Sequence, residues 1–355
     1  MKEIFLNGAA FTDNFGDILF FQVFSKVVND LGYTPSMYSE NEKVRAQLSN
    51  VSFYSNKLDA IKNADKIAYV GGGYFGEQPN PKWTYRFRWG LQNIRRIQVF
   101  GILAIWYKKP VGIFGAGAGN ISNPLTRMVI DKIVNKAEIV IVRDYESKEA
   151  LKRKKSEAKH IIESVDTILA IDTILNDVHV ACEKNILLHL SDSPENDENS
   201  KVLWEDVSDF LKENRNFRCT IITDHFSGGQ KCSYDYFSNM SKTNSQVSVF
   251  KYTDTISLIN LIAKSEYVIT NKLHVGVVGL SYNKKVISIP NHPKVVNLFK
   301  QLGIEERLIR KENLNKGKLL SVMYKIQSEE LAIDNKVKER ALFNVDSFKE
   351  FISKR

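Results

Sequence analysis

Short β-branched runs that end in glycine or polar turns and then give way to helical spacing recur along this 355-residue chain. That alternation restricts the fold more than any other feature. It is most complete in residues 265–294. Tyr267-Val268-Ile269-Thr270 has strand composition, and Asn271-Lys272-Leu273-His274 forms a turn. Residues 275–280 read as a small-residue helix, and Lys285-Val286-Ile287-Ser288-Ile289 is a second strand that stops at Pro290. Strand, turn, helix and strand make a βαβ unit, whose ligands sit beyond the carboxyl ends of the strands. Lys272 and His274 thereby fall at a helix N-terminus, where unbonded backbone N–H groups attract anions. An ammonium and a proton-transfer group at such an end suit a phosphorylated or carboxylated substrate.

The pattern repeats upstream. Residues 4–11 read as a strand, Asn14-Phe15-Gly16-Asp17 as a loop, and Leu19, Phe20, Val23, Phe24, Val27, Val28 and Leu31 as one helix face that Gly32 ends. Asp17 is either a ligand group or a carboxylate favoured in a first helical turn. Residues 66–70 run into Gly71-Gly72-Gly73-Tyr74-Phe75-Gly76, and residues 111–114 into Gly115-Ala116-Gly117-Ala118-Gly119. Such clusters admit a ligand close to the backbone or satisfy a demanding turn. The second is near a dinucleotide fingerprint but lacks an acidic ribose partner about 20 residues on, which argues against a dinucleotide. Residues 139–142 lead to Arg143-Asp144-Tyr145-Glu146-Ser147, where Arg143 either clamps an anion bidentately or pairs with Asp144.

Past a boundary expected near residue 180, residues 186–190, 220–223 and 247–250 read as strands, and 202–213 and 255–263 as helices. His225, in a loop after a strand, is a second histidine candidate or a plain surface residue. Residues 319–355 look helical and charged, and are expected to pack back on the first domain. The expected class is α/β, with two Rossmann-like domains (1–180 and 181–318) facing across a cleft.

Charge narrows the partners. The net charge is +9 and the pI near 9.2, which favours anionic ligands, but the basic residues are dispersed and argue against nucleic acid. Cys182, Cys219 and Cys232 form no CxxC pair, so neither a disulfide framework nor a structural zinc site is expected. The longest apolar run, residues 99–107, falls well short of the ~20 residues a helical membrane span needs. A cytoplasmic protein is expected. Within 79–109, Trp83, Tyr85, Arg86, Phe87, Arg88, Trp89, Arg95, Arg96, Trp106, Lys108 and Lys109 interleave aromatic and basic side chains. They form either an edge that binds an acceptor or faces a membrane, or a solvated basic loop. The run 152–155 reads as a solvated helix end.

Taken in order, Asn14-x-Gly16-Asp17, Gly71-Gly72-Gly73, Gly115-x-Gly117-x-Gly119, Val142-Arg143-Asp144 with Ser147, Asp166, Lys272-Leu273-His274 and Pro293-Lys294 resemble the polysaccharide pyruvyl transferase family. The resemblance runs from about residue 4 to residue 305. It implies a GT-B-like pair of domains and transfer of a pyruvyl group from phosphoenolpyruvate to two sugar hydroxyls as a ketal. No cofactor is implied beyond phosphoenolpyruvate as co-substrate, and no metal is required. His274 is implied as general acid/base with Asp17 or Asp144 as orienting partners. Lys272, Leu273, Arg143, Lys294, Gly115 and Gly117 are implied on the donor side, and Asn14, Gly16, Gly72, Gly73, Tyr74, Arg86 and Trp89 on the acceptor side. The family usually carries arginine where this chain has Lys272, exchanging a two-pronged grip for a point charge. A GT-B glycosyltransferase using a nucleotide sugar and a non-catalytic sugar- or anion-binding protein are the alternatives. The former commonly uses an acid on ribose hydroxyls, for which no clear candidate follows His274.

Overall fold

A computed structural model describes residues 2–77, 82–152, 160–175, 181–224, 228–329 and 332–354. His225, residues 153–155 of the basic run and residues 79–81 of the aromatic-basic segment lie outside them. The chain packs as two compact units. The first comprises Met1–Asp13, Asp17–Ala170 and Lys338–Arg355, and the second Asn14–Gly16 and Ile171–Val337.

In the first unit the strands are β1 (Glu3–Asn7), β2 (Thr34–Tyr38), β3 (Ser52–Tyr54), β4 (Lys66–Val70), β5 (Val111–Ala116), β6 (Ile139–Val142) and β7 (Ile161–Glu163). They form one parallel sheet ordered β3-β2-β1-β4-β5-β6-β7. A parallel sheet covered on both faces buries alternate and intervening residues alike, and every residue of β4 and β5 is buried. Lys66 obeys the rule despite its charge. Its ammonium donates to the Phe351 carbonyl at 2.6 Å and lies 4.9 Å from that ring, and desolvation lowers its pKa. Strand order reverses between β1 and β4, which is where an open α/β sheet offers its ligand crevice.

The second unit holds β8 (Glu183–His189), β9 (Arg218–Ile222), β10 (Val247–Phe250), β11 (Ser265–Thr270) and β12 (Lys285–Ser288), all parallel and ordered β10-β9-β8-β11-β12. Its reversal lies between β8 and β11. The expected α/β class with two Rossmann-like units is the observed architecture.

Three details differ from expectation. β1 ends at Asn7, and residues 8–11 turn instead, with Ala10 N–H donating to the Gly8 carbonyl at 2.9 Å. The strands β2, β3 and β7 carry little sequence signal, since β2 contains Pro35 and the other two have three residues each. The units part between Ala170 and Ile171, and the C-terminal segment is divided between them. The helix Asn335–Ser353 enters the first unit, where Phe348 meets Phe24 and Phe114 edge-on at 4.9 and 5.2 Å. The helix Lys318–Ile326 stays in the second.

A single carboxylate holds that last helix. Asp206, 1% exposed on the helix Glu198–Glu213, accepts the N–H groups of Gly317, Leu319 and Leu320 at 2.6, 2.9 and 3.3 Å. It caps amides that a helix cannot satisfy from within. Asp206→Ala is expected to destabilise the protein by about 2–3 kcal/mol, the cost of leaving buried donors without an acceptor. Urea unfolding read by far-UV circular dichroism checks this, and an unchanged midpoint would dismiss the cap.

Candidate functional site

The residues singled out around 272 sit at the carboxyl ends of β8, β9 and β11, on the strand-order reversal of the second sheet. β11 stops because Thr270 turns its hydroxyl back to accept the Lys272 N–H at 2.9 Å. Ser288 Oγ and the Ile289 N–H both donate to the Thr270 carbonyl, each at 3.0 Å, so the strand end is held twice from the β12 side. The helix Leu273–Ser281 begins at once. Gly279 lets it lie on the sheet, since a Cβ there would stand 2.9 Å from Val286 Cγ2. Lys272 is the N-cap, and no side chain caps the helix, so its first-turn amides are not claimed by a capping oxygen.

Around this turn is a polar network the sequence reading did not contain. Asp224, after β9, is 6% exposed. One of its oxygens lies 3.2 Å from Lys272 Nζ, and the other is 3.2 Å from His189 Nε2 and accepts from Gln230 Nε2 at 2.5 Å. Its N–H donates to Gln230 Oε1 at 2.9 Å. A buried carboxylate demands such partners. His189 closes β8 fully buried, and its contact with Asp224 places the ring proton on Nε2. Asn271 Nδ2 donates to Ser191 Oγ. A cavity of about 50 Å³ opens here, lined in part by His189, Ser191, Asn271, Asn291 and Lys311. The available signal was a histidine closing an otherwise apolar run and an aspartate following one. Strand ends, not side-chain chemistry alone, would have flagged them.

His274 occupies the first helical turn, half-buried. Asn14–Gly16 belongs to the same unit, and Gly16 lies against the imidazole. A Cβ at Gly16 would stand 1.9 Å from His274 Nδ1, so any side chain there displaces the ring. Asn14 Oδ1 accepts the Gly16 N–H at 2.9 Å, and Phe15 packs edge-on to Tyr252 at 6.1 Å, fixing the approach. The motif Asn14-x-Gly16 thus packs against His274. With His274 in the general acid/base role expected of it, Gly16→Ala is expected to lower turnover roughly 100-fold, as misplacing such a group by about 1 Å does. Its melting temperature should stay close to wild type, and undiminished turnover would separate Gly16 from the histidine.

Lys294 lies at the start of the helix Pro293–Gln301, its N–H donating to His292 Nδ1 at 3.2 Å. Leu273 is the first helical residue beside His274.

In the first unit the remaining candidates fall into separate groups. Asp17 accepts from Thr12 Oγ1 at 2.6 Å in the first turn of the helix Phe15–Asp30. Arg143, 6% exposed, meets Asp144 at 3.2 Å and Asp166 at 3.8 Å. Asp144 also caps the helix Tyr145–Leu151 through the Ser147 N–H at 2.7 Å, and Ser147 Oγ accepts from Ala118 N–H at 2.8 Å. Gly117 makes room for the guanidinium, whose Cζ lies 2.8 Å from where a Cβ would be. Arg143 is therefore a buried, doubly paired cation, and binding a further anion means sharing it with two carboxylates. The glycine loops pair with each other: Gly117 N–H donates to the Gly72 carbonyl at 2.7 Å, and Phe75 bridges Ala118 in parallel fashion. Gly73 and Gly115 lie in the same two segments. Tyr74 is 5% exposed, with its hydroxyl on the Asn7 carbonyl at 3.3 Å, and burial raises its pKa. It is a core residue rather than an exposed acceptor contact. Arg86 lies 3.9 Å from Glu77, and Trp89 is half-buried on the helix Trp83–Asn93. Among the described residues no group of three His, Cys, Asp or Glu side chains is placed to hold a metal ion.

With this arrangement in view, the comparison with known families is decisive. The model of the polysaccharide pyruvyl transferase family matches residues 14–293, which takes in the loop before Gly16, both glycine segments and the Lys272-Leu273-His274 turn. The chain belongs to that family. A search of curated proteins gives no match to this pyruvyl transferase family member. Among solved structures it is similar to UDP-GlcNAc 2-epimerase from Methanocaldococcus jannaschii, with a TM-score of 0.64 at 14% identity over 98% of this chain and 100% of that one. It is likewise similar to UDP-GlcNAc 2-epimerase from Neisseria meningitidis bound to UDP-GlcNAc, with a TM-score of 0.63 at 12% identity, covering 99% and 100%. A glycosyltransferase from Rickettsia africae gives 0.55 at 15%, covering 100% and 99%. This family member therefore has the GT-B type of fold shared by those epimerases and glycosyltransferases.

Proposed function

We propose that the protein transfers a pyruvyl group from phosphoenolpyruvate to two hydroxyls of a sugar in a cell-surface polysaccharide or its lipid-linked precursor. The observation that carries this is the family membership together with an uncapped helix N-terminus bearing Lys272 and His274. Phosphoenolpyruvate brings a carboxylate and a phosphate, which first-turn amides and an ammonium can hold. In the reaction the terminal methylene gains a proton and becomes a methyl group, and a sugar oxygen bonds to the cationic carbon so formed. The second hydroxyl displaces phosphate from the same carbon. One hydroxyl proton is accounted for by the methyl group, and the other leaves with phosphate. His274 gives and retrieves the protons, a role imidazole fills near neutral pH. Asp17 and Asp144 are proposed as orienting groups, and Arg143, Leu273, Lys294, Gly115 and Gly117 as donor-side residues. Asn14, Gly72, Gly73, Arg86 and Trp89 are proposed on the acceptor side.

A nucleotide-sugar reaction is the second reading, favoured by the likeness to UDP-GlcNAc 2-epimerases along nearly the whole chain. Against it, residues 267–304 contain no Asp or Glu to grip a ribose. The test is release of inorganic phosphate from phosphoenolpyruvate in the presence of galactose- or mannose-bearing acceptors, run beside UDP-sugars. Turnover of a UDP-sugar with phosphoenolpyruvate inert would replace the first reading by the second.

No described helix is long and apolar enough to cross a membrane. Action at the inner face of the membrane is proposed from the helix Trp83–Asn93 and its surroundings. Trp83 is 69% exposed and its ring meets that of Phe87 at 6.5 Å, with Tyr85 and Arg88 exposed on the same helix. Exposed aromatics beside cations suit an anionic lipid surface. Sedimentation with phosphatidylglycerol vesicles but not with phosphatidylcholine vesicles is expected. Equal partition to both would remove the charge-selective contact.

A further inference from the structure

A cavity in the first unit is lined by none of the residues discussed so far as catalytic. It has a volume of about 440 Å³ and opens at the carboxyl ends of β1 and β2, beside the strand-order reversal. Its floor is Asn7, Phe5 and Phe100, all buried, and its rim carries Lys57, Arg95, Arg96 and Glu40. The volume is within the range of about 300–1,000 Å³ usual for small-ligand sites.

The rim is held in place by unusual backbone. Ile94–Gln98 forms a π-helical turn between the helices Trp83–Asn93 and Val99–Trp106. Such turns are rare and concentrate at functional sites. This one is fastened on both sides: Asn7 Nδ2 donates to the Ile97 carbonyl at 3.0 Å, while Asn93 and Gln98 donate to the Tyr74 carbonyl at 2.9 and 3.3 Å. The turn carries Arg95 and Arg96 into the cavity lining, with Gln92 one turn before them. Among the described residues no carboxylate lies within ion-pairing distance of either guanidinium. Arg96 instead stacks over the Phe11 ring at 4.9 Å, and Phe11 is 43% exposed. Lys57 Nζ donates to the Arg95 carbonyl at 3.0 Å and sits 5.1 Å from the Tyr38 ring.

Three cations and one carboxylate do not suit a ligand that is anionic throughout. Glu40 accepts from the Tyr38 hydroxyl, and this hydrogen bond, with burial, raises the phenol's pKa so that it remains a neutral donor. A carboxylate, a phenol and the amides of Asn41 and Gln92 are the groups that bond sugar hydroxyls, and Phe11 offers an apolar face. The two guanidiniums are the groups that bind phosphate. We propose that this cavity binds a phosphorylated sugar, its phosphate on Arg95 and Arg96 and its hydroxyls toward Glu40 and Tyr38. Resting on the pyruvyl-transfer reading, it holds the phosphorylated end of the acceptor.

The test is isothermal titration of the full-length protein with N-acetylglucosamine 1-phosphate, N-acetylglucosamine, inorganic phosphate and a short-chain prenyl diphosphate sugar. The Arg95→Gln/Arg96→Gln variant is titrated alongside. The phosphorylated sugar is expected to bind at least tenfold more tightly than the neutral sugar or phosphate alone. The double variant should weaken it roughly 10- to 100-fold, the usual worth of charge-assisted bonds to phosphate. Comparable binding of the soluble and prenyl ligands assigns recognition to the shared sugar phosphate, whereas binding of the prenyl ligand alone assigns it to the lipid-linked form. Both agree with the proposal. Equal affinity for inorganic phosphate, no loss in the double variant, or no binding of either sugar phosphate would overturn it. Phosphoenolpyruvate binding, followed by thermal shift, should be the same in both proteins, and its loss in the double variant would make the cavity a donor site. If sugar phosphate binds as described while phosphoenolpyruvate is neither bound nor consumed, the cavity stands and the pyruvyl-transfer reading falls.

Discussion

Replacing His274 with alanine is expected to lower kcat roughly 100- to 10,000-fold, the usual contribution of a positioned general acid/base, with phosphoenolpyruvate binding changed only a few-fold. The imidazole projects from the first turn of a helix whose start is not capped by a side chain, and it is half-buried rather than sealed in the core. The backbone of Gly16 holds one side of the ring, because nothing larger than hydrogen fits there. A histidine kept only for packing would behave differently. Its loss would lower the melting temperature and leave turnover per folded molecule intact. Phosphate release and a thermal melt on the same preparation separate the two. The pH profile adds a readout, since the limb due to the imidazole should vanish from the variant's residual activity. Retained turnover, with altered sugar binding alone, would instead favour a non-catalytic binding protein.

Lys272→Ala is expected to raise KM for phosphoenolpyruvate roughly 10- to 100-fold, and Lys272→Arg to keep or lower it, since a guanidinium grips phosphate or carboxylate with two prongs. The contact with Asp224 complicates the first result. Removing the ammonium leaves a carboxylate that is 8% exposed in its side chain with His189 and Gln230 as its named partners. Some of the cost would then be structural. A cycle with Asp224→Asn resolves the share: if Lys272 acts on substrate, a KM penalty persists in the Asp224→Asn background, where no carboxylate is left for the ammonium to neutralise, and the coupling measures what the pair contributes. If the penalty disappears there, Lys272 serves only to neutralise Asp224. An unchanged KM in Lys272→Ala would take the lysine out of the site.

How much of this was legible beforehand depended on range. The turn Asn271-Lys272-Leu273-His274 could be placed because strand, turn and helix signals sit within twenty residues and are local. Arg143 with Asp144 was legible as a pair of alternatives, and the fold adds partners no local pattern announces, since Gly117 and Asp166 converge on the guanidinium from distant segments. His189 and Asp224 escaped notice because each is a single polar residue closing an apolar run. Only the sheet order, which sets β8 between β9 and β11, brings them beside Lys272. The cavity at Asn7, Tyr38 and Arg95 was beyond reach for the same reason, and because a π-helical turn has no periodicity to announce it.

Alternating apolar runs and glycine turns determined by themselves that this chain builds parallel α/β units, because strand and helix periods are written within a few consecutive residues. The order of motifs likewise determined the family. Tertiary structure alone decided which polar groups meet. In a parallel sheet, neighbouring strands are joined by crossovers tens of residues long, so the partners of a buried carboxylate or a guanidinium are chosen by strand order and not by distance along the sequence.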